Sequence, residues 1–374
     1  MSSNNTTLYA GIVIALIIGA AVGYFVYPSM NPGPTGEWVD KEDYDAAVAD
    51  LATAEAQIEE LTKPKKVGLI LATGGLGDKS FNDISYAGVQ KAKEELGIEF
   101  DYVQPTAIAE YESFQRDFAM SGDYMLIITV GFDQADALTI IAGEYPDQNF
   151  AIVDMVVDMP NVASLTFRAN EGSFLLGVVA GMTTETGKIG FVGGIDIPLI
   201  RDFYVGYKAG AEWANPTVTV GEPVFVGGWG DPSSGKELTL GLIEQDYDGV
   251  FAAAGGSGLG ALEAAHEAGI TGYGVDACQD YLHDEIIASM TKRVDEAVYQ
   301  MILSALVDKF QGGFYSGGLA EEWVGMCRLP SEEPFWEEVF DFEHDPLDED
   351  ILAKVKDARD KIIAGEIMVP SGFG

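Results

Sequence analysis

Basic residues are scarce in this chain. Lysine and arginine together number 21, against 60 aspartates and glutamates among 374 residues, so the formal net charge is −39. A surface of that sign repels phosphate groups, which excludes nucleic acid as a partner. An anionic small molecule is an unfavourable ligand for the same reason.

Cysteine and histidine are scarce as well. The two cysteines, Cys278 and Cys327, form neither a CxxC pair nor the Cys/His spacing of a metal site. They can pair in a disulfide outside the cell or be two small core residues, and both interpretations stay open. The three histidines form no HExxH, and GxSxG is also missing. The sequence therefore predicts no metal, no cofactor and no enzymatic activity.

One long hydrophobic run is present, at residues 8–27 (LYAGIVIALIIGAAVGYFVY), and it carries no charge. As a helix it would span the roughly 30 Å core of a bilayer. The preceding MSSNNTT has no basic residue of the kind that opens a cleaved signal peptide, and no cysteine follows the run for lipid attachment. We expect an uncleaved single-pass anchor in the cell membrane, with the large C-terminal part outside the cytoplasm.

A linker and a helical stalk are expected at 31–64. The segment NPGPTG (31–36) is rich in residues that interrupt secondary structure. After it, apolar residues alternate at spacings of three and four, as in the seam of a coiled coil. These seam residues are Tyr44, Ala47, Leu51, Ala54, Ile58 and Leu61. The pattern allows either a monomeric spacer helix or self-association through the stalk.

From Lys65 onward, short apolar segments alternate with amphipathic ones. This alternation is typical of an α/β protein with a mostly parallel, doubly wound sheet. The series is too long for one sheet, so we expect two similar lobes. The predicted strands are 67–72, 100–103, 124–130, 150–153, 162–167, 188–192, 218–225, 249–253 and 272–275.

Several predicted strands end in glycine-rich or acidic turns, the position at which open α/β sheets bind ligands. If the two lobes face each other across these edges, the shared cleft holds Phe81 and Trp229 from opposite sides. It also holds the carboxylates of Asp154 and Asp276. Two aromatic faces with carboxylates nearby predict a site for a flat, neutral, hydroxyl-bearing molecule.

Two segments resemble motifs that bind phosphate or dinucleotides, and neither interpretation is favoured. TGGLGDKS (73–80) resembles a P-loop, yet Asp78 occupies a position that requires glycine. Residues 256–261 fit GxGxxA after a strand, and Asp276 follows twenty residues later, as in a dinucleotide site. The same geometry serves a nucleoside without the pyrophosphate, so an NAD-dependent enzyme remains an alternative.

Nine stretches keep the order and spacing of one family's motifs across 66–312 and the terminal helix. They are TGGLGDKSFND (73–83), VGFDQADAL (130–138), YPDQNFAIVD (145–154), EGSFLLGVVAG (171–181), TGKIGFVGGIDIPLIRDFYVGYKAGA (186–211), AAGGSGLGALEAA (253–265), YGVDACQDYL (273–282), SMTKRVDEAVY (289–299) and GEIMVPSG (365–372). Together they resemble the basic membrane protein family. Its members are substrate-binding components of ABC transporters and include purine-nucleoside binders.

The resemblance implies a type I periplasmic-binding-protein fold, in which two doubly wound lobes joined by a hinge close on a ligand. Lobe 1 is expected at about 65–168 and 277–312, and lobe 2 at about 169–276. The segment 313–374 would pack on the lobes. The membrane helix and stalk would precede this solute-binding domain.

The resemblance also implies a binding site. The base of a nucleoside would stack between Phe81 and Trp229, where the family commonly has phenylalanine at the second position. Asp276 and Lys292 would hold the ribose hydroxyls. The other expected ligand contacts are Asp78, Asn82, Phe132, Asp154, Gly255 and Gly256. The chain departs from the family pattern at Cys278 and Gln279, and 327–346 exceeds it.

We therefore expect a membrane-tethered solute-binding protein that captures a purine nucleoside and delivers it to an ABC permease. A ligand sensor or a surface-assembly protein would use the same fold and remains an alternative.

Overall fold

The structure is a computed structural model that describes residues 45–46, 48–50, 52–53, 65–340, 342 and 347–373. The chain divides into two compact units, and the second begins at Lys65. The described residues of the first unit are helical. The predicted membrane segment and the seam residues of the predicted stalk lie outside the described residues. None of the described helices is both long enough and apolar enough to span a membrane.

The second unit contains two sheets. In chain order the strands are β1 (Lys66–Ile70), β2 (Glu99–Val103), β3 (Leu126–Val130), β4 (Phe150–Val153), β5 (Val162–Phe167), β6 (Lys188–Gly193), β7 (Thr219–Val220), β8 (Val224–Phe225), β9 (Gly249–Ala253), β10 (Thr271–Asp276), β11 (Ile286–Lys292), β12 (Gly313–Gly317) and β13 (Val324–Met326). The first sheet has the order β12-β5-β4-β3-β1-β2, and the second has the order β13-β11-β10-β9-β6-β7, with β8 also paired to β6. Among the described pairs, β11 with β13 is antiparallel and the others are parallel.

Helices cover the sheets. They are α1 (Phe81–Leu96), α2 (Tyr111–Ser121), α3 (Ala135–Glu144), α4 (Ala169–Thr183), α5 (Pro198–Ala214), α6 (Pro232–Ile243), α7 (Gly256–Ala268), α8 (Val294–Leu306), α9 (Glu333–Phe340) and α10 (Glu349–Ile363). Central strands such as β3 (LIITV) and β9 (GVFAA) are buried at every residue. A parallel sheet covered on both faces requires such continuous apolar strands, which is why the sequence revealed them.

The single strand expected over 218–225 is two short strands instead, β7 and β8. Val220 pairs with Ile189, and Val224 pairs with Val192, so both short strands lie beside β6. Pro223 lies between them and has no backbone N–H to donate to the ladder, which interrupts the pairing.

The pairing of β11 places the boundary between the lobes later in the chain than we expected. We expected the second lobe to end at about residue 276, but β11 pairs in parallel with β10, and Asp276 lies beside Thr291. The second lobe therefore continues to Lys292. The polar residues Ser289 and Thr291 are fully buried in β11, so a search for apolar runs does not find this strand.

Within the described residues the chain crosses between the lobes three times: from β5 to α4, from β11 to α8 and from β12 to β13. The backbone N–H of Arg168, at the first crossing, donates to the carbonyl of Gly317 at 2.8 Å. The N–H of Arg293, at the second, donates to the carbonyl of Trp323 at 2.8 Å. The first and second crossings are thus each hydrogen-bonded to the third, and together the three form one hinge.

Candidate functional site

A cleft lies where the carboxyl ends of the two sheets face each other. It contains about 620 Å³ of empty space, counting the part that is open to solvent. Nine of the ten predicted site residues line it: Asp78, Phe81, Asn82, Phe132, Asp154, Trp229, Gly255, Asp276 and Lys292. The tenth, Gly256, begins α7 beside the cleft, where an added Cβ would lie 3.1 Å from the carbonyl oxygen of Trp229.

Asp154 follows β4 and has a left-handed backbone, with φ of 70°. Such a φ is uncommon outside glycine, although aspartate tolerates it better than most residues. Its Oδ2 forms an ion pair with Lys292 Nζ, and the two side chains are 5% and 2% exposed. Its Oδ1 is buried and has no hydrogen-bond partner among the described residues. Because buried carboxylate oxygens are normally paired, Oδ1 is available to a donor on a ligand.

Lys292 ends β11 of the second lobe, whereas Asp154 belongs to the first, so their ion pair spans the cleft. The Lys292 ammonium also lies 4.8 Å from the ring centroid of Phe81, 5.1 Å from that of Phe167 and 5.6 Å from that of Phe203. These distances are within the range of cation–π attraction. Aromatic rings and one carboxylate thus hold the ammonium group in place.

Asp276 ends β10 and repeats the left-handed backbone of Asp154, with φ of 65°. Its Oδ2 accepts a hydrogen bond from Ser80 Oγ of the first lobe at 2.5 Å. Burial raises the pKa of Asp276 to about 6, against the opposing influence of Lys292 and the Ser80 hydroxyl, while Asp154 and Asp78 raise it further. This carboxyl group therefore titrates close to neutral pH.

A second hydrogen bond spans the cleft beside this one. Gln279 lies three residues after Asp276 in the second lobe. Its Nε2 donates to the carbonyl of Lys79 in the first lobe at 3.0 Å. With the Ser80–Asp276 and Lys292–Asp154 contacts, it joins the two lobes directly. The structure shows the lobes in contact across the cleft.

Asp78, a predicted ligand contact, lines the cleft and has a structural role as well. Its carboxylate accepts hydrogen bonds from the backbone N–H groups of Ser80 (3.0 Å), Asn82 (2.9 Å) and Asp83 (3.2 Å). It therefore caps the first turn of α1. Asn82 is also engaged, because its Oδ1 accepts from the N–H of Ala72 at 2.9 Å. Both side chains lie in the cleft wall, and their hydrogen bonds to the backbone fix its shape.

The two predicted aromatic walls come from opposite lobes. Phe81 is the first residue of α1, and Trp229 lies between β8 and α6. The Trp229 ring packs against Gly194, where an added Cβ would lie 2.2 Å from ring carbon Cζ3. Glycine at 194 is therefore required to seat this ring. Phe132, which follows β3, also lines the cleft.

Sequence reasoning missed Asp133, which lines the cleft next to Phe132. Burial raises its pKa. The Tyr111 hydroxyl donates to Asp133 Oδ2 at 3.2 Å and accepts from the N–H of Thr73 at 2.9 Å. Its position in the sequence indicates such a role, because Asp133 lies in the turn after β3 just as Asp154 directly follows β4.

An apolar wall from α5 was also missed, formed by Leu199, Ile200 and Phe203. The C-terminal tail holds this helix in place. The buried carboxylate of Asp202 accepts from Ser371 Oγ at 3.0 Å and from the N–H of Gly372 at 2.9 Å. The GEIMVPSG motif therefore has a structural role, because it holds in place the helix that carries Phe203.

The charges in the cleft disfavour an anionic ligand. Four lining carboxyl groups, those of Asp78, Asp133, Asp154 and Asp276, face one lining ammonium group, that of Lys292. Across the ranges that the structure describes, one group of three side chains has metal-ligand spacing, and it lies outside the cleft lining. The cleft is suited to holding a molecule with flat faces and hydrogen-bond donors.

Comparison with known proteins identifies the family of this chain. The model of the Bmp family, described as ABC transporter substrate-binding protein PnrA-like, matches residues 65–372. Basic membrane protein A of Borreliella burgdorferi is 35% identical over 315 residues, covering 82% of this chain and 88% of that protein. An uncharacterized lipoprotein of Pyrococcus abyssi is 33% identical over 320 residues, covering 80% and 79%.

A solved structure agrees with these matches. The crystal structure of an ABC transporter system solute-binding protein from Aeropyrum pernix superposes with a TM-score of 0.73 at 32% identity, covering 82% of this chain and 94% of that one. The chain belongs to the Bmp family of ABC transporter solute-binding proteins and has their two-lobe, periplasmic-binding-protein-like α/β fold.

Proposed function

We propose that this family member captures a purine nucleoside outside the cytoplasm and delivers it to an ABC permease, using a type I binding-protein fold. The observation that carries the proposal is the pairing of aromatic and acidic groups at the strand ends of both lobes. Phe81 and Trp229 offer flat faces, while Asp154 and Asp276 offer carboxylate oxygens.

Each part of a nucleoside finds a matching group. The base stacks on the aromatic rings, and such contacts are favourable for any purine or pyrimidine. The ribose hydroxyls donate to Asp276 and to the unpaired Oδ1 of Asp154. The Lys292 ammonium donates to a ribose oxygen. Phosphorylated nucleosides are disfavoured, because their charge would approach four carboxyl groups.

Binding is coupled to closure of the lobes. The candidate ligand contacts are divided between the lobes, so the full set forms only when the hinge is closed. The predicted membrane helix at 8–27 and the stalk at 31–64 would tether this domain near a permease. The name of the Pyrococcus abyssi relative, a lipoprotein, also describes a membrane-attached protein.

Isothermal titration calorimetry of the full chain tests the proposal. The ligands are inosine, guanosine and adenosine, with guanosine monophosphate and NAD as charged comparisons. We expect at least one nucleoside to bind in the micromolar range or tighter and the phosphorylated compounds to bind far more weakly. Binding of NAD alone would support the enzyme alternative and refute the transport role.

Asp276→Ala should reduce nucleoside affinity by about 10- to 100-fold, because the charge-assisted hydrogen bond from a ribose hydroxyl to this carboxylate is lost. Asp246→Ala is the matched control, since Asp246 also has a left-handed backbone, with φ of 67°. Its side chain is 83% exposed and it does not line the cleft. Equal affinities of the two variants would refute the role of Asp276.

A further inference from the structure

The two cysteines of the chain lie side by side in the second lobe. Cys278 is in the loop after β10, and Cys327 follows β13, so 48 residues separate them in sequence. Their Sγ atoms and a carboxylate oxygen of Asp280 all lie within 4.8 Å of one another. Both cysteines are buried, at 1% and 0% exposure, and both are thiols in this structure.

Hydrogen bonds fix the groups around the thiols. The Cys327 thiol donates to Asp280 Oδ2 at 3.3 Å, and the Ser289 hydroxyl donates to Asp280 Oδ1 at 2.6 Å. The N–H of Cys327 donates to the carbonyl of Ser289 at 3.1 Å. Arg328 Nε lies 3.8 Å from Asp280 Oδ2. The loop after β10 and the segment after β13 are thus already held together on either side of β11.

We propose that Cys278 and Cys327 form a disulfide when the protein folds in an oxidising medium. Each sulfur loses its proton to water, one S–S bond forms, and two electrons pass to a disulfide oxidant, which is reduced to two thiols. The reaction proceeds by thiolate attack and a mixed disulfide. Since the two sulfurs are already neighbours, the bond needs only a small approach of the two segments.

Burial determines when this bond forms. It raises the pKa of both thiols above the ordinary value, so the reactive thiolate is rare in the folded protein. Oxidation therefore takes place while the segments are still exposed during folding. Once formed, the bond is shielded from reductants for the same reason. It is a structural crosslink rather than a rapidly reversible switch.

A zinc ion is the competing occupant, because two sulfurs and a carboxylate are zinc ligands. A structural zinc site uses four ligands, whereas this cluster offers three. Both oxygens of Asp280 are also engaged, one with Ser289 and the other with Cys327 and Arg328. The geometry therefore favours the disulfide.

The bond would act next to the candidate site. Asp276 and Gln279 are close to Cys278 in sequence. Strand β13, which directly precedes Cys327, pairs with β11, and Val324 of β13 lies beside Lys292 of β11. A crosslink between these segments fixes the two strand ends that bring the charged groups of the second lobe to the cleft.

Thiol counting by mass spectrometry tests the proposal on the full chain. One sample is refolded with oxidised glutathione and another with a reductant, and both are then unfolded and treated with iodoacetamide. We expect no alkylated cysteine in the oxidised sample and two in the reduced one, with Cys278 and Cys327 joined in one peptide after digestion. Two alkylated cysteines in both samples would refute the disulfide.

A stability measurement gives a second, independent readout. Oxidised protein should melt about 5 °C higher than reduced protein, as expected for a loop of this length in a chain of this size. The Cys278→Ser/Cys327→Ser variant should melt at one temperature in both media. One zinc per chain after purification, without a disulfide, would overturn the proposal in favour of a metal site.

Discussion

Asp154 of the first lobe and Asp276 of the second occupy equivalent places. Each lies at the carboxyl end of a strand, is buried, and has a left-handed backbone. Their nearest partners differ, because Asp154 is ion-paired with Lys292 and Asp276 is hydrogen-bonded to the neutral hydroxyl of Ser80. Burial raises the pKa of Asp276 to about 6, while Lys292 and the Ser80 hydroxyl lower it. The fold fixes where a strand-end carboxyl group lies, while the residue that reaches it from the opposite lobe differs between the two sites.

The shared backbone conformation supports a functional interpretation of both residues. Left-handed residues other than glycine carry strain and concentrate at binding and catalytic sites. Here the strained backbone directs two carboxyl groups toward one cleft, and each forms a contact with the other lobe. The contacts between the lobes and the proposed ligand binding therefore use the same side chains.

The largest expected effect comes from removing the cation. Lys292→Met leaves Asp154 buried without its ion-pair partner, and we expect a loss of roughly 3–5 kcal/mol in the free energy of unfolding. Guanidinium unfolding of the ligand-free domain measures it. The Lys292→Met/Asp154→Asn double variant should recover most of the loss, since the carboxylate that lost its ion-pair partner is also removed. A single variant as stable as the wild type would contradict the importance of this ion pair.

Replacing the two aspartates should change stability in opposite directions. Asp276 binds its proton more tightly when folded than when unfolded, so between about pH 4 and pH 6 the free energy of unfolding falls as pH rises. Above pH 6 the full penalty of the buried charge, about 3 kcal/mol at most, is present. Asp276→Asn removes that penalty and should stabilise the ligand-free protein at pH 8, because asparagine also tolerates the left-handed backbone.

Asp154→Asn should destabilise the protein at the same pH, because Lys292 loses its carboxylate partner. Urea unfolding of both variants at pH 4.5 and pH 8 makes the comparison. Changes of equal sign at pH 8 would contradict the difference that their partners make to the two carboxyl groups.

The smallest effect concerns pH and Ser80. If ligand hydroxyls donate to ionised Asp276, nucleoside affinity should be constant above pH 6 and fall by up to tenfold for each pH unit below it. Ser80→Ala removes a hydrogen bond that lowers the pKa of Asp276, so its affinity profile should begin to fall at a higher pH. We expect a cost of about 1 kcal/mol in stability as well. Calorimetry from pH 5 to pH 8 tests this, and identical profiles would contradict the Ser80 contact.

Much of the fold could be predicted because its signal is local. Strand β4 (FAIV) is a continuous apolar run and β5 (VASLTF) is mostly apolar, and the predicted limits of both match the structure. Strand β11 could not be predicted in this way. Thr291 of this strand can be buried because its hydroxyl donates to Glu332. Lys292 can be buried because its ammonium group forms an ion pair with Asp154. These partners are distant in sequence, so nothing in the local pattern reports the burial.

The candidate site shows the same division. The strand-end turns predicted Phe81, Trp229, Asp154 and Asp276 as neighbours in a cleft, and the structure brings them together. The spacing of Asp78 to Asn82 also fits a capping role, which the sequence alone does not separate from a ligand contact. The apolar wall around Phe203 depends on how α5 is docked by the C-terminal tail. That docking is a tertiary contact with no local signal.

The three crossings of the hinge bear on how the protein is synthesised. Strand β12 completes the first sheet by pairing with β5, yet it is translated only after the whole of β6 to β11. Until then β5 is an edge strand whose buried, apolar residues and backbone groups are open to other chains, which favours aggregation. Chains that stop before residue 313 keep that edge permanently.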